Sequence, residues 1–106
     1  MAQVLAVADL MMGSKVEAML TAAGHEVALS ASLQEADLDG VELVVADLDA
    51  ENPDALVGLG VPVLGFYSHV NTETRAVAEA AGVDLVVPRS RLARELPQLA
   101  ERLLES

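Results

Sequence analysis

Residues 41 to 53 read VELVVADLDAENP. Val41, Leu43, Val44, Val45 and Ala46 form an apolar, largely β-branched run that is continuous from Leu43. Such a run marks a strand buried on both faces of a parallel sheet. It stops at Asp47, and Leu48, Asp49, Glu51 and Asn52 follow. A carboxylate in that place has three readings: a phosphoryl acceptor, a metal ligand, or a polar residue where the chain meets water. Asn52 and Pro53 then pair a helix cap with a first-turn proline. Only Ala55, Leu56 and Val57 follow before Gly58 and Gly60 break the pattern, so the helix here is a stub.

The same alternation continues on both sides. QVLAVA, residues 3 to 8, HEVALS, residues 25 to 30, VPVLGFY, residues 61 to 67, and VDLVV, residues 83 to 87, read as four more strands. Ser14 and Glu17 have the spacing of a capping box, in which hydroxyl and carboxylate satisfy free amides of a first turn. Val16, Met19, Leu20 and Ala23 then mark one helical face, and Gly24 ends it. Residues 31 to 40 hold at most one turn. Asn71 is placed to cap a helix over 72 to 81, where Ala76, Val77, Ala80 and Ala81 share a side and Gly82 stops the helix. Leu92, Leu96, Leu99 and Leu103 hold one phase of a last helix. Pro97 lies inside that phase and removes a backbone donor, so a kink or a fresh start is expected there. Strands alternating with helices imply an α/β domain with a parallel sheet and right-handed crossovers. Residues 1–106 read as a single domain, without internal repeat or linker.

Composition narrows the function classes. The chain is 53% hydrophobic with mean hydropathy +0.41, which fits a packed globule and not a disordered tail. Phe66 and Tyr67 are its aromatic residues, so the core is Ala, Val and Leu. No apolar run approaches the ~18 residues of a membrane span. The first residues carry no basic segment of the kind that opens a signal peptide. Without cysteine there is no disulfide, thiolate nucleophile or cysteine-held metal, and a cytoplasmic location is expected. The net charge of -11 opposes binding to nucleic acid and to anionic membrane surfaces. Three of the six basic residues fall in PRSRLAR, residues 88 to 94, the one place where positive charge gathers.

In open parallel sheets ligands bind at the carboxyl ends of the strands. The polar residues that reach this edge first are Asp9, Asp47, Ser68 with His69, and Arg89 with Ser90. Ser68 beside His69 has the residue types of a nucleophile and base, but neighbours on an extended chain point opposite ways, and a helix-entry histidine is the better reading. His25, at the start of the second strand, belongs to the other edge and reads as structural. Two distant histidines make no zinc site. Gly58 and Gly60 precede a strand, so they are not a phosphate loop. Met11 and Met12 read as a loop after the first strand that plugs the edge of the core.

The runs VLAVAD, AAGHEV, VELVVADL, VPVLGFYS and AAGVDLVVP, spread over nearly the whole chain, resemble the receiver domain of two-component response regulators. The resemblance implies a flavodoxin-like (CheY-like) three-layer sandwich. Its five-stranded parallel sheet would have order 2-1-3-4-5, here with shortened second and third helices. It also implies a mechanism: an acidic pair after the first strand holds magnesium, an aspartate after the third accepts phosphate, a hydroxyl residue follows the fourth, and a lysine precedes a proline after the fifth. Asp47 takes the phosphoacceptor position. Asp9 supplies one member of the acidic pair, since its neighbours are Ala8 and Leu10. Ser68 lies at or one beyond the switch position, with Tyr67 as the competing alignment. The lysine is absent: Val87 precedes Pro88, and Arg89 comes two positions later.

Phosphoryl transfer depends on positioning and on neutralising charge on the transferred oxygens. A chain that lacks one carboxylate and the lysine is weakened in both. The expectation is therefore a degenerate receiver-like module, not an enzyme, that works through protein contact and needs no cofactor. Magnesium, held by Asp9 and Asp47, enters only if the domain is a working receiver phosphorylated on Asp47. A third reading is a small enzyme or anion binder using Asp47, Ser68, His69 and Arg89. Arg89 is expected within reach of Asp47 or Asp9, holding the paired carboxyl at a lowered pKa. The thin segments 31–40 and 48–60 are expected to leave Leu33, Leu38, Leu56, Val57 and Leu59 for burial against a second copy, giving a homodimer.

Overall fold

The computed structural model describes residues 1–68 and 72–105. Five strands form one parallel sheet: β1 (Gln3–Val7), β2 (Glu26–Ser30), β3 (Leu43–Asp47), β4 (Val63–Tyr67) and β5 (Leu85–Pro88), in the order β2-β1-β3-β4-β5. Helices α1 (Leu10–Ala22), α2 (Pro53–Val57), α3 (Thr72–Ala81) and α4 (Arg89–Leu104) connect and cover them, with one 3₁₀ turn at Leu33–Glu35 between β2 and β3. This is the flavodoxin-like topology that the resemblance implies, with the second helix reduced to one turn and the third to five residues.

The continuous apolar strands are continuous because both faces are covered. Along β3, Leu43 and Val45 face one cluster while Val44 and Ala46 face the other, and all four are fully buried. On the first face α1 and α4 place Val16, Leu20, Leu92, Leu96 and Leu99 over Val4, Ala6, Leu64, Phe66 and Val87. On the second, Leu48, Leu56, Ala78 and Val83 lie over Leu5, Val7, Val63 and Tyr67. At about 25 cal/mol per Å² of apolar surface, these two layers supply the main driving force for folding.

Four expectations change. Helix α1 starts at Leu10, not at the Ser14–Glu17 box: the Asp9 carboxylate accepts the Met12 amide at 2.8 Å and caps it. Aspartate is as good a cap as serine, and it comes first as the chain leaves the strand. Met11 and Met12 are thus first-turn residues, Met12 buried and Met11 81% exposed. Helix α4 is one element through Pro97, so no fresh start occurs there. Buried Leu96, Leu99 and Leu103 hold both halves on the sheet, which offsets the one missing donor. On α3 the buried residue is Ala78, while Ala76, Val77 and Ala80 face solvent. The stubs also lie flat on the sheet. Leu56 is fully buried, Leu33 and Leu59 pack against the second cluster, and Leu38 and Val57 stay at the surface. Most of the apolar side chains that motivated a homodimer are therefore covered within the chain. The proposed Asn71 cap lies outside the described residues.

His25 is structural, at the amino edge of the sheet. Its Nδ1 accepts the Ala2 amide at 3.1 Å, which leaves the proton on Nε2, 3.0 Å from Glu101 Oε1. The imidazole ties the start of β1 to the far end of α4. Among the described residues no helix is long and apolar enough to cross a membrane.

Candidate functional site at the carboxyl edge

Register brings the candidate residues together. Asp47 pairs with Phe66, and Tyr67 with Pro88, so the chain after β5 enters α4 beside the end of β3 and β4. Arg89 is the first residue of α4. Its guanidinium lies 5.8 Å from the centroid of the Phe66 ring, within cation–π range, and its Nη2 is 3.9 Å from Asp47 Oδ2. Asp47 is 8% exposed. Its Oδ1 accepts the Asp49 amide at 2.9 Å, and its carbonyl accepts from Ala50 and Glu51. This Asx turn lets the strand end on a carboxylate without leaving its inner oxygen unsatisfied.

The other carboxylates have local duties. Asp9 caps α1, and Asp49 Oδ2 accepts the Ser68 amide at 2.9 Å, fastening the exit of β4 to the exit of β3. The structure thus brings Asp9, Asp47, Ser68 and Arg89 to one edge. His69 lies outside the described residues. Among the described residues no group of three His, Asp or Glu side chains converges as a metal site. Asp49 and Phe66 were missed from sequence. Asp49 carried a signal, an aspartate two residues after a strand-ending aspartate, the pattern of an Asx turn. Phe66 carried none, because its place beneath Arg89 follows from the β3–β4 register.

Arg89 pairs with Asp47, but the net effect on the carboxyl is opposite to the expected lowering. Burial raises the Asp47 pKa above 3.8, and the charges of Asp49 and Asp9 add to this. The Asp49 amide and the Arg89 guanidinium lower it, without prevailing. Half-exposed and at 3.9 Å, the guanidinium is screened by water. The folded carboxyl therefore keeps its proton to higher pH than the unfolded one. Stability falls as pH rises from 3.8 through the folded value, and the loss is complete above it. Asp47→Asn keeps the Oδ1 acceptor and removes the charge. It is expected to stabilise the domain at neutral pH by about 0.5–2 kcal/mol, the usual yield of relieving an unfavourable charge. The gain should shrink as pH approaches 3.8. Urea unfolding at several pH values checks both, and an Asn variant less stable than the parent at pH 7 contradicts the assignment.

No protein-family model and no curated protein matches this sequence. Solved structures do. A response regulator from Thermotoga maritima superposes with TM-score 0.80 at 16% identity, covering 99% of this chain and 98% of its own. The chemotaxis protein CheY4 of Vibrio cholerae gives 0.78 at 21%, covering 97% and 98%. NtrX from Brucella abortus gives 0.82 at 24%; there 99% of this chain covers 27% of the NtrX chain, about a quarter of its length. The chain has the receiver-domain fold of response regulators. At these identities the likeness is one of fold, and the chemistry rests on the residues at the edge.

Proposed function

We propose that this domain is a degenerate receiver: a regulatory module that acts through protein contact and does not accept phosphate on Asp47. One observation carries the reading. The cation that meets Asp47 is Arg89, delivered from the first turn of α4 and resting on Phe66. A guanidinium on that path meets the carboxylate from 3.9 Å, half in water. It does not stand in the chain position from which a lysine before Pro88 would reach a phosphoryl group. The donor set gives further support. Magnesium demands near-octahedral oxygen ligands and is held through one or two carboxylates. Here Ala8 offers no side-chain oxygen, Asp9 is engaged as a helix cap, and the outer oxygen of Asp47 faces a positive charge. These residues do not fit the ion.

The reading predicts that magnesium at millimolar concentration produces no saturable change in the amide spectrum at Asp9, Asp47 or Asp49. Saturable shifts at these three residues, abolished in Asp47→Asn, would favour a working receiver instead. The remaining function is then recognition, by a protein partner or by a second copy of the chain. Light scattering across micromolar concentrations separates the two.

A further inference from the structure

Helix α3 is poorly used by the fold. Of its ten residues only Ala78 is buried. The apolar sector of the helix extends beyond Ala78 to Ala76, Val77 and Ala80, all exposed, with Val77 at 53%. The two helices meet at their far ends, where Val57 lies against Gly82, and a groove of about 350 Å³ opens between the start of α2 and the first turns of α3. Leu48, Pro53, Val77 and Ala78 supply its apolar lining, and Glu73 a charged wall. The segment beside it, LDAENPD over residues 48 to 54, holds no basic residue; its Asp54 is exposed, while the Asp49 and Glu51 carboxylates accept the Ser68 and Leu33 amides. Arg75, the one cation on α3, is paired with Glu79.

We infer that this groove is a docking site for a basic amphipathic segment of a partner protein, with an apolar side chain seated against Val77 and Pro53 and lysine or arginine facing Glu73 and the 48–54 segment. The inference rests on the proposed reading of the domain as a contact module and names the kind of partner. Charge selects the occupant. A second copy would bring a net charge of -11 and the same acidic rim to the groove, and like charges opposed across an interface are costly. A cationic helix laid into a groove by its apolar face satisfies both the lining and the rim. The size of the groove suits one or two anchoring side chains, and the acidic rim gives association a salt-dependent rate.

The test uses the full isotope-labelled chain and a synthetic peptide of about 15 residues with leucines and lysines at helical spacing. A scrambled peptide of identical composition is the control. Saturable amide shifts confined to residues 48–54 and 72–81, weakened by salt, are expected. Val77→Asn changes an exposed side chain, so the fold is retained. That variant should weaken binding about tenfold, the scale of losing one central anchor. Glu73→Lys should weaken it about fivefold. Equal binding of the scrambled peptide, shifts spread over the acidic surface, or unchanged affinity in Val77→Asn would each overturn the inference. So would shifts at the same residues on simple dilution without peptide, which would assign the groove to a second copy. Failure here leaves the behaviour of Asp47 toward magnesium and phosphate unchanged, so the two claims fall separately.

Discussion

Leu56→Asp is expected to unfold the domain. From sequence, Leu56 belongs to a stub left bare for a second copy, and a charge there would split a dimer. In the structure its side chain is fully buried in the second core layer with Leu5, Val44, Val63 and Tyr67. Removing a buried leucine costs about 2–5 kcal/mol. Placing an unpaired carboxylate in the same apolar site adds a further penalty of several kcal/mol, lessened only as the group takes up a proton. The sum rivals the total stability of a domain this size, about 5–15 kcal/mol. Circular dichroism and urea titration read the result directly. A folded Leu56→Asp protein with a midpoint near that of the parent would show that α2 does not lie against the sheet.

Gly65→Val is expected to be nearly as damaging. Gly65 is the middle residue of β4, between Ala46 of β3 and Val86 of β5. A Cβ added there would stand 2.6 Å from Leu48 Cδ1 and 2.8 Å from both Cδ2 and Cγ. All three atoms are too close, so turning the methyls does not clear the contact. The Leu48 amide is held by the Phe66 carbonyl at 2.8 Å, which limits retreat of the backbone. Overpacking of this kind costs about 1–3 kcal/mol, and the two γ-methyls of valine push toward the upper end. Leu48 has one way out, into the groove beside α3 that it lines. The variant should therefore lose about 2–3 kcal/mol in urea unfolding and show altered amide shifts at residues 72–81. Stability within about 0.5 kcal/mol of the parent would contradict the close crossing of Leu48 over β4.

How much of this was legible follows the range of the interactions. The strands were visible because burial on both faces demands unbroken apolar runs such as Leu43 to Ala46. The ends of two helices were visible because Gly24 and Gly82 adopt positive φ, 96° and 99°, where a side chain is strained. The start of α1 was misplaced because two caps competed, Asp9 and the Ser14–Glu17 box. Which one wins depends on where the chain leaves the sheet, not on either motif. The outward turn of Ala76, Val77 and Ala80 on α3 was not legible, because spacing shows that they share a side and not which way that side turns. At the edge, the meeting of Asp47 and Arg89 was legible because both sit next to strand ends. The balance of charge was not. It turns on the Asp49 amide and carboxylate, on burial, and on the 3.9 Å gap to a half-exposed guanidinium.

Treatment with acetyl phosphate and magnesium, followed by intact-mass measurement, shows whether Asp47 accepts phosphate. Asp47 is the carboxylate that ends β3, and Arg89 is the cation that meets it. The mass of the parent chain is expected to stay unchanged, as that of Asp47→Asn does. A stoichiometric phosphate adduct on the parent chain, absent in Asp47→Asn, would contradict this expectation and make the domain a working receiver.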